Sequence, residues 1–366
     1  MEQAKQLSDC DMLLCIMSGS FTQRGDICVI DKYDRARHAI LGGADCVIEL
    51  PAAFTIAPAE IFAQGAIKIL SAIPEVNSLV FGCESGDVNF MQAAKLLLNE
   101  NRQFKKILSE NLSKGESYIK SYATAFEACG GSKNILEKPN NILGIEYCKA
   151  ILKIGSDINV IPVQRVGSNF NDEKLNDNYS SASAIRKNSG SPLIKCNVPE
   201  YVYADLNDFS AENEIFEQLL RFKLLESTPE TLKKIYGCNE GLENRLPSLA
   251  ELPYNKIIDE ATGRRYSSSR IKRILLANLL SIYQTDCEKY LNSKLYIKPI
   301  AIKKERADFI LSTLAKSEFP TILRQRDIAN LNSESKKCFE SDIKVYKIAS
   351  FISKRAISNF NYPIFI

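Results

Sequence analysis

The chain has 366 residues, of which 45% are hydrophobic and 25% charged, and its formal net charge is +3. This composition is typical of a globular protein and excludes collagen-like and disordered classes, while the length favours two packed units. No apolar run approaches the roughly 20 residues that cross a bilayer, and no basic and apolar leader follows Met1, so we expect a cytoplasmic protein without membrane association.

In the first 165 residues, short apolar runs alternate with longer amphipathic segments, which indicates an α/β fold with a doubly wound parallel sheet. Strands are predicted at residues 12–17, 46–50, 78–81 and 159–163. Helices are predicted at residues 31–41, 58–70, 89–98, 104–112, 118–128 and 141–154. Because ligands of open α/β sheets bind outside the carboxyl ends of the strands, we expect the active-site loops there.

Beyond residue 187 the pattern becomes mainly helical. Helices are predicted at residues 210–225, 229–236, 267–280, 306–316 and 335–351, and one strand at 296–302. A stretch rich in Ser, Gly and Pro at 189–199 predicts a boundary between a domain at 1–190 and a second at 191–366.

The C-terminal third is basic. From Tyr254 onward, 21 Lys and Arg stand against 11 Asp and Glu, a balance of +10, which leaves −7 for the preceding residues. A polyanion such as RNA suits this asymmetry best, although a solvated basic surface has the same pattern. The eleven cysteines contain no C-x-x-C pair, so we expect mostly buried, reduced thiols and neither a metal site nor disulfides.

Four motifs follow one another at the predicted loops. They are MSGSFTQRGD at 17–26, FGCE at 81–84, KPNNILG at 138–144 and SSASAIR at 180–186. In this order they resemble the tRNA(Met) cytidine acetate ligase family of nucleotidylyltransferase-like proteins, and the resemblance continues through RYSSSRIKR at 265–273 to YIK at 296–298. It covers nearly the whole chain.

The resemblance implies that ATP activates acetate to acetyl-adenylate, and that the acetyl group passes to N4 of the wobble cytidine in elongator tRNA(Met). It implies ATP contacts at Gly82, Asn140 and Arg165, with Mg²⁺ expected from the ATP chemistry. The domain at 1–190 would bind ATP and the domain at 191–366 would bind tRNA. No oligomeric state is predicted.

Each predicted ATP contact also has an ordinary interpretation. On local sequence alone, Gly82 fits a plain turn equally well, Asn140 fits a helix N-cap and Arg165 fits a surface ion pair. Ser183 and Arg186, together with Ser181, stand at a predicted helix start, where hydroxyls and free N–H groups bind anions or simply cap the helix. Lys32 is predicted to bind phosphate or acetate because Asp31-Lys32 matches the family.

In the basic module, the helix at 267–280 places Ile271, Ile274, Leu275 and Leu279 on one side. Its spacing directs Arg270, Lys272 and Arg273 outward, where we expect them to contact RNA together with Arg265. Tyr266 and Arg265 would add a stacking surface for anticodon bases. A solvated helix is the alternative.

The sequence departs from the family at its beginning. Family members start with a strand and an H-x-G-H loop that contacts the ATP phosphates, whereas the one histidine here is His38, expected to be a packed or surface residue. Loss of that central strand would leave unpaired edges on its neighbours, so we expect the true start to lie upstream. The alternatives are a non-catalytic RNA-binding protein and a nucleotidylyltransferase for a small cofactor precursor.

Overall fold

The computed structural model describes residues 1–86, 88–116, 118–165, 175, 180–188, 191–207, 213–263, 265–354 and 362–366. The strands are β1 (Leu14–Ser18), β2 (Cys46–Leu50), β3 (Ser78–Cys83), β4 (Asn159–Gln164), β5 (Pro299–Ile302) and β6 (Ile364–Phe365). The helices before β4 are α1 (Glu2–Ser8), α2 (Lys32–Leu41), α3 (Ala52–Thr55), α4 (Ala59–Ser71), α5 (Phe90–Leu98), α6 (Arg102–Ser113), α7 (Tyr118–Ala128) and α8 (Pro139–Ile154).

The part of the chain after β4 is mainly helical, as expected. Its helices are α9 (Ala182–Lys187), α10 (Glu200–Asn207), α11 (Asn213–Leu225), α12 (Pro229–Leu232), α13 (Leu242–Ser248), α14 (Tyr254–Ala261), α15 (Ser268–Leu280), α16 (Gln284–Asn292), α17 (Ala307–Ala315) and α18 (Ser333–Ile352). The strand predicted at 296–302 is shorter, because Ile297 instead bridges to Thr321. The helix predicted at 229–236 ends at Leu232.

The strands form two sheets. One has the order β1-β2-β5-β6 and the other pairs β3 with β4. β1 pairs with β2 in parallel, and β3 with β4 in parallel, whereas β5 lies antiparallel to β2. The α/β class is therefore confirmed, and the larger sheet is mixed because a strand from the C-terminal half completes it.

Strand β2 lies at the centre of the larger sheet. All five of its residues are buried, which explains why four of the five residues in CVIEL are apolar, with Glu49 as the exception. The largest hydrophobic cluster joins Ile48 of β2 and Phe54 of α3 to Leu275 of α15 and Phe339 of α18. The two halves of the chain thus share one core, and the division at residue 190 stays a prediction.

The edges of β1 and β3 are the exception to this burial. Within the described residues, β1 pairs only with β2 and β3 only with β4. All five β1 residues are half-buried, yet Leu14 and Ile16 pack on the same apolar cluster as Leu79 of β3. Among the described residues, the two sheets therefore contact each other through side chains and not through a shared ladder.

Helix α8 packs directly on β3. A Cβ atom at Gly144 would lie 2.5 Å from the Phe81 ring, so only a glycine allows this approach. The helix begins with Pro139, two residues earlier than predicted, because proline is well tolerated in the first turn. This contact brings the start of α8 beside the carboxyl end of β3.

None of the helices in the described ranges is long and apolar enough to span a bilayer.

Candidate active site

The structure brings Gly82, Asn140 and Arg165 together at the carboxyl ends of β3 and β4. The backbone N–H of Arg165 donates to the Cys83 carbonyl at 2.9 Å, which continues the parallel ladder past β4. A Cβ atom at Gly82 would lie 3.6 Å from Cγ of Arg165, so the arginine stem lies beside the glycine. Both residues are exposed and therefore accessible to a ligand.

Glu84 joins Asn140 to this group. Its carboxylate accepts hydrogen bonds from the side chain of Asn140 at 2.8 Å and from the backbone N–H groups of Asn140 and Asn141 at 3.3 and 3.0 Å. A carboxylate at this position satisfies free N–H groups in the first turn of α8 and complements the helix dipole. The N-cap interpretation of Asn140 is wrong, because the helix begins at Pro139 and its N-cap is Lys138.

Asn141 fixes the same loop from the other side. It is fully buried; its side-chain oxygen accepts from the Glu84 N–H at 2.9 Å, and its amide group donates to the Ser85 hydroxyl at 3.1 Å. Glu84 and Asn141 were not predicted as site residues. The available signal was their place inside the two motifs, since a polar residue after a strand and another at a helix start commonly meet at a sheet edge.

Ser183 and Arg186 belong to a second group, with Arg24. Ser183 Oγ lies 3.2 Å from Nη1 of Arg24 and 3.2 Å from Nη2 of Arg186. Helix capping is the task of Ser181, whose side chain accepts from the Ala184 N–H at 2.9 Å, so Ser183 is left to contact the two arginines. Burial lowers the pKa of Arg24, and the nearby Arg186 charge adds to this effect.

Arg35 holds the loop that carries Arg24. Its guanidinium donates to the carbonyl groups of Ser18 at 3.1 Å and Ile30 at 3.0 Å, and also to that of Gly19. Three backbone carbonyls thus fix the start and end of the loop at residues 19–30, which follows β1. Residues 166–174 and 176–179, which follow β4, lie outside the described residues.

Lys32 lies beneath this loop, in a buried charge cluster. Its amino group donates to both Glu49 oxygens, at 2.7 and 2.9 Å, and Lys298 forms an ion pair with the same carboxylate at 2.9 Å. The Lys32 side chain has no exposed surface, so a ligand at the protein surface does not reach its amino group in this arrangement. Glu49 lies close to Gly19, where a Cβ atom would be 2.5 Å from Oε1.

The charges in this cluster are strongly coupled. Burial raises the pKa of Glu49, but Lys298 and Lys32 outweigh burial and bring it down to about 2. Burial lowers the pKa of Lys32 to about 8, although the Glu49 carboxylate opposes this shift. Asp342 of α18 is also buried, and burial with the neighbouring Glu49 charge raises its pKa to about 6.

The four residues predicted to contact RNA have different surroundings. Arg265 is exposed. Arg270 donates to the Gly237 carbonyl at 2.8 Å and to the Asn239 side chain at 2.6 Å, Lys272 pairs with Asp26 at 2.9 Å, and Arg273 donates to the Gln23 carbonyl at 3.4 Å. The last three side chains are half-buried and contact protein groups, so the expectation that they simply point outward is wrong.

The helix that carries them is buried more deeply than its spacing predicted. Ile271, Ile274 and Leu275 are buried as expected, Leu279 is half-buried, and further residues of α15 join the core. Tyr266 is only 8% exposed and donates its hydroxyl to the Glu240 carbonyl at 2.7 Å, with Arg270 against its ring. Tyr266 therefore does not offer an open stacking surface in this structure.

His38 is a packed residue, as expected. Its Nε2 lies 2.6 Å from the Asp205 carboxylate, and its ring packs beside Tyr201 of α10. Among the described residues, no three His, Cys, Asp or Glu side chains come together in a way that would hold a metal ion. Six of the eleven cysteines are buried, in keeping with their role as small core residues.

Comparisons with known proteins show which proteins the chain is similar to. A family model for HIGH nucleotidyl transferases matches residues 1–361. The tRNA(Met) cytidine acetate ligase of Clostridium novyi is 37% identical over 80% of this chain and 76% of its own length, and that of Clostridium perfringens is 31% identical over 100% and 94%.

Solved structures show the same relationship. Apo TmcAL of Thermotoga maritima has a TM-score of 0.89 at 28% identity and covers 100% of this chain and 95% of its own. The form of that protein bound with alpha-thio ATP has a TM-score of 0.85 at 28% identity, with 100% and 94% covered. Together with the motifs and the strand-end site, these matches show that the chain belongs to the tRNA(Met) cytidine acetate ligase family of HIGH nucleotidyl transferases.

Proposed function

We propose that this protein is an ATP-dependent ligase that activates acetate as acetyl-adenylate and acetylates N4 of the wobble cytidine of elongator tRNA(Met). The observation that carries the proposal is the meeting of Gly82, Asn140 and Arg165 at the ends of two parallel strands. The alpha-thio ATP complex of the Thermotoga relative, which has the same fold, supports ATP as the ligand.

The reaction requires positioning more than covalent chemistry. An acetate oxygen attacks the α-phosphorus of ATP, the bond from that phosphorus to the bridging oxygen breaks, and pyrophosphate leaves with its electron pair. The cytidine amine then attacks the acetyl carbon, AMP leaves, and the amine loses a proton. Fixed cations and N–H groups that face the phosphates stabilise the charge that develops on oxygen.

Each predicted residue has a place in this scheme. Gly82 would let the nucleotide approach the backbone, and Asn140 and Arg165 would contact it beside the first turn of α8. Ser183 and Arg186 would act on the phosphates. Because Lys32 is buried and paired with Glu49, we propose that it acts indirectly, by holding Glu49 beneath the Gly19 backbone.

The basic module would bind the tRNA. Arg265 is exposed and available to a phosphate, whereas Arg270, Lys272 and Arg273 would have to exchange their present protein partners for RNA. Mg²⁺ would come with ATP, because this ion keeps several waters and binds mainly through substrate phosphates. We propose a cytoplasmic site of action, where ATP and tRNA are both found.

Incorporation of labelled acetate tests the proposal. The protein is incubated with ATP, labelled acetate and an elongator tRNA(Met) transcript, and a transcript with uridine at the wobble position is the matched control. We expect ATP-dependent label in the first transcript only, released as N4-acetylcytidine on digestion. Binding of tRNA without incorporation would favour the non-catalytic RNA-binding protein. Nucleotide transfer to a pantetheine or nicotinamide precursor without tRNA would favour the small-molecule enzyme.

A further inference from the structure

We propose that Arg24 is a further catalytic residue, which binds the leaving pyrophosphate together with Arg186 across the Ser183 hydroxyl. The inference rests on the proposed function for the identity of the anion. None of the motif expectations assigned a role to Arg24, which lies 159 positions before Ser183 in the chain.

The first argument is the meeting of two cations on one hydroxyl. Nη1 of Arg24 and Nη2 of Arg186 both lie 3.2 Å from Ser183 Oγ, so the two nitrogen atoms are at most about twice that distance apart. Burial lowers the pKa of Arg24, the Arg186 charge lowers it further, and the Asp26 carboxylate opposes the shift. An anion between them would accept a charge-assisted hydrogen bond from each guanidinium group.

The second argument concerns the charge of the anion. A single guanidinium matches a carboxylate in a bidentate way, so acetate needs only one arginine. Two arginines with a hydroxyl between them suit an anion with two charged groups. Of the groups in the proposed reaction, pyrophosphate meets this description. When the bond to the α-phosphorus breaks, the oxygen that joined the α- and β-phosphates takes up the electron pair and becomes a terminal oxygen of pyrophosphate.

The third argument is that the loop holds Arg24 in a fixed place. Gly25 has a φ of +88°, and a Cβ atom there would lie 2.7 Å from the backbone nitrogen of Arg273. Asp26 pairs with Lys272 at 2.9 Å, and the Gln23 carbonyl accepts from Arg273 at 3.4 Å. Gln23 and Asp26, which lie on either side of Arg24 in the loop, are thus bound to α15, so little ordering is needed when the anion binds.

Calorimetric titration with inorganic pyrophosphate tests the inference without turnover. The proteins are the wild-type chain, Arg24→Ala, Arg24→Lys and the control Arg102→Ala, whose arginine is exposed on α6. We expect about a 10- to 100-fold rise in Kd for Arg24→Ala, a smaller rise for Arg24→Lys, and no change for the control. Circular dichroism checks that each variant is folded.

The inference is overturned if folded Arg24→Ala and Arg24→Lys both bind pyrophosphate as the wild type does, or if the wild type does not bind it. These results are separate from the acetylation assay. Pyrophosphate binding that depends on Arg24, without acetylation of tRNA, would sustain the inference and contradict the proposed function. Acetylation with unchanged pyrophosphate affinity in Arg24→Ala would contradict the inference alone.

Discussion

At the scale of single residues, the most constrained group is the Glu49 carboxylate. It is 6% exposed and forms ion pairs with the amino groups of Lys32 and Lys298, which are themselves buried. Removing one partner from such a buried ion cluster leaves charge without compensation, which costs far more than the intact cluster contributes. In the sequence, Glu49 is the polar residue within an otherwise apolar strand, and it belongs to the run VIELP at 47–51 that resembles the family.

The change Glu49→Gln should therefore lower the free energy of unfolding by about 3–5 kcal/mol, because two buried lysines lose their carboxylate. Urea denaturation measures this difference, and Glu318→Gln, at an exposed site, is the control. A loss below about 1 kcal/mol for Glu49→Gln would show that the cluster is not important for stability.

Asp342 predicts a pH dependence. Burial and the Glu49 charge raise its pKa to about 6, above the value of about 3.9 in the unfolded chain, so between these values the folded state binds a proton that the unfolded state does not. Its contribution to stability therefore rises as the pH falls from about 6 to about 4. Between about pH 6 and about pH 4, the free energy of unfolding of the wild type should rise by about 1–2 kcal/mol relative to that of Asp342→Asn, as measured by urea denaturation at each pH. If the free energies of the two proteins change with pH in parallel, the assignment to Asp342 is wrong.

At the scale of elements, the loop between β1 and α2 depends on its contact with α15. Gly25 combines a positive φ with a close approach to the α15 backbone, whereas Gly115 has a φ of +83° and nothing within 4 Å of its Cβ position. The two glycines share the backbone conformation and differ in packing. Comparison of the two therefore isolates the contact with α15.

We predict that Gly115→Ala lowers the free energy of unfolding by about 1 kcal/mol, from backbone strain alone. Gly25→Ala should lower it by about 1–3 kcal/mol more, because its Cβ atom meets backbone that cannot move aside. Thermal and urea unfolding measure both. Equal losses would mean that the loop and α15 can separate at no cost.

The elements also show which features a sequence can predict. The run CVIEL predicted β2 at its observed bounds, and the rule of strand ends indicated where the active-site loops lie. The individual residues Gly82, Asn140 and Arg165 came from the family resemblance. The direction and pairing partner of β5 could not be predicted from the sequence, because an apolar run indicates a strand but not the strand beside it. The contact of Arg24 with Ser183 was also missed, because spacing within one helix carries no information about residues 159 positions away.

At the scale of the whole molecule, the sheet is built from both halves of the chain. β5 pairs with β2, and the Glu49 N–H donates to the Lys298 carbonyl at 3.0 Å beside their ion pair. The helix α15, from the basic module, contacts the loop that carries Arg24. The proposed ATP site and the proposed RNA-binding module are therefore parts of one packed structure, which suits an enzyme that brings an activated acetate to a tRNA.

The binding of alpha-thio ATP tests the site most directly. The nucleotide is titrated into the wild type, Asn140→Ala, Arg165→Ala and the control Arg102→Ala. We expect Asn140→Ala and Arg165→Ala to bind it about 10-fold or more weakly than the wild type, because each variant loses a polar contact to the nucleotide. Binding to Arg102→Ala should be unchanged. If the wild type does not bind the nucleotide, or if Asn140→Ala and Arg165→Ala bind it as tightly as the wild type does, the strand-end site is not an ATP site.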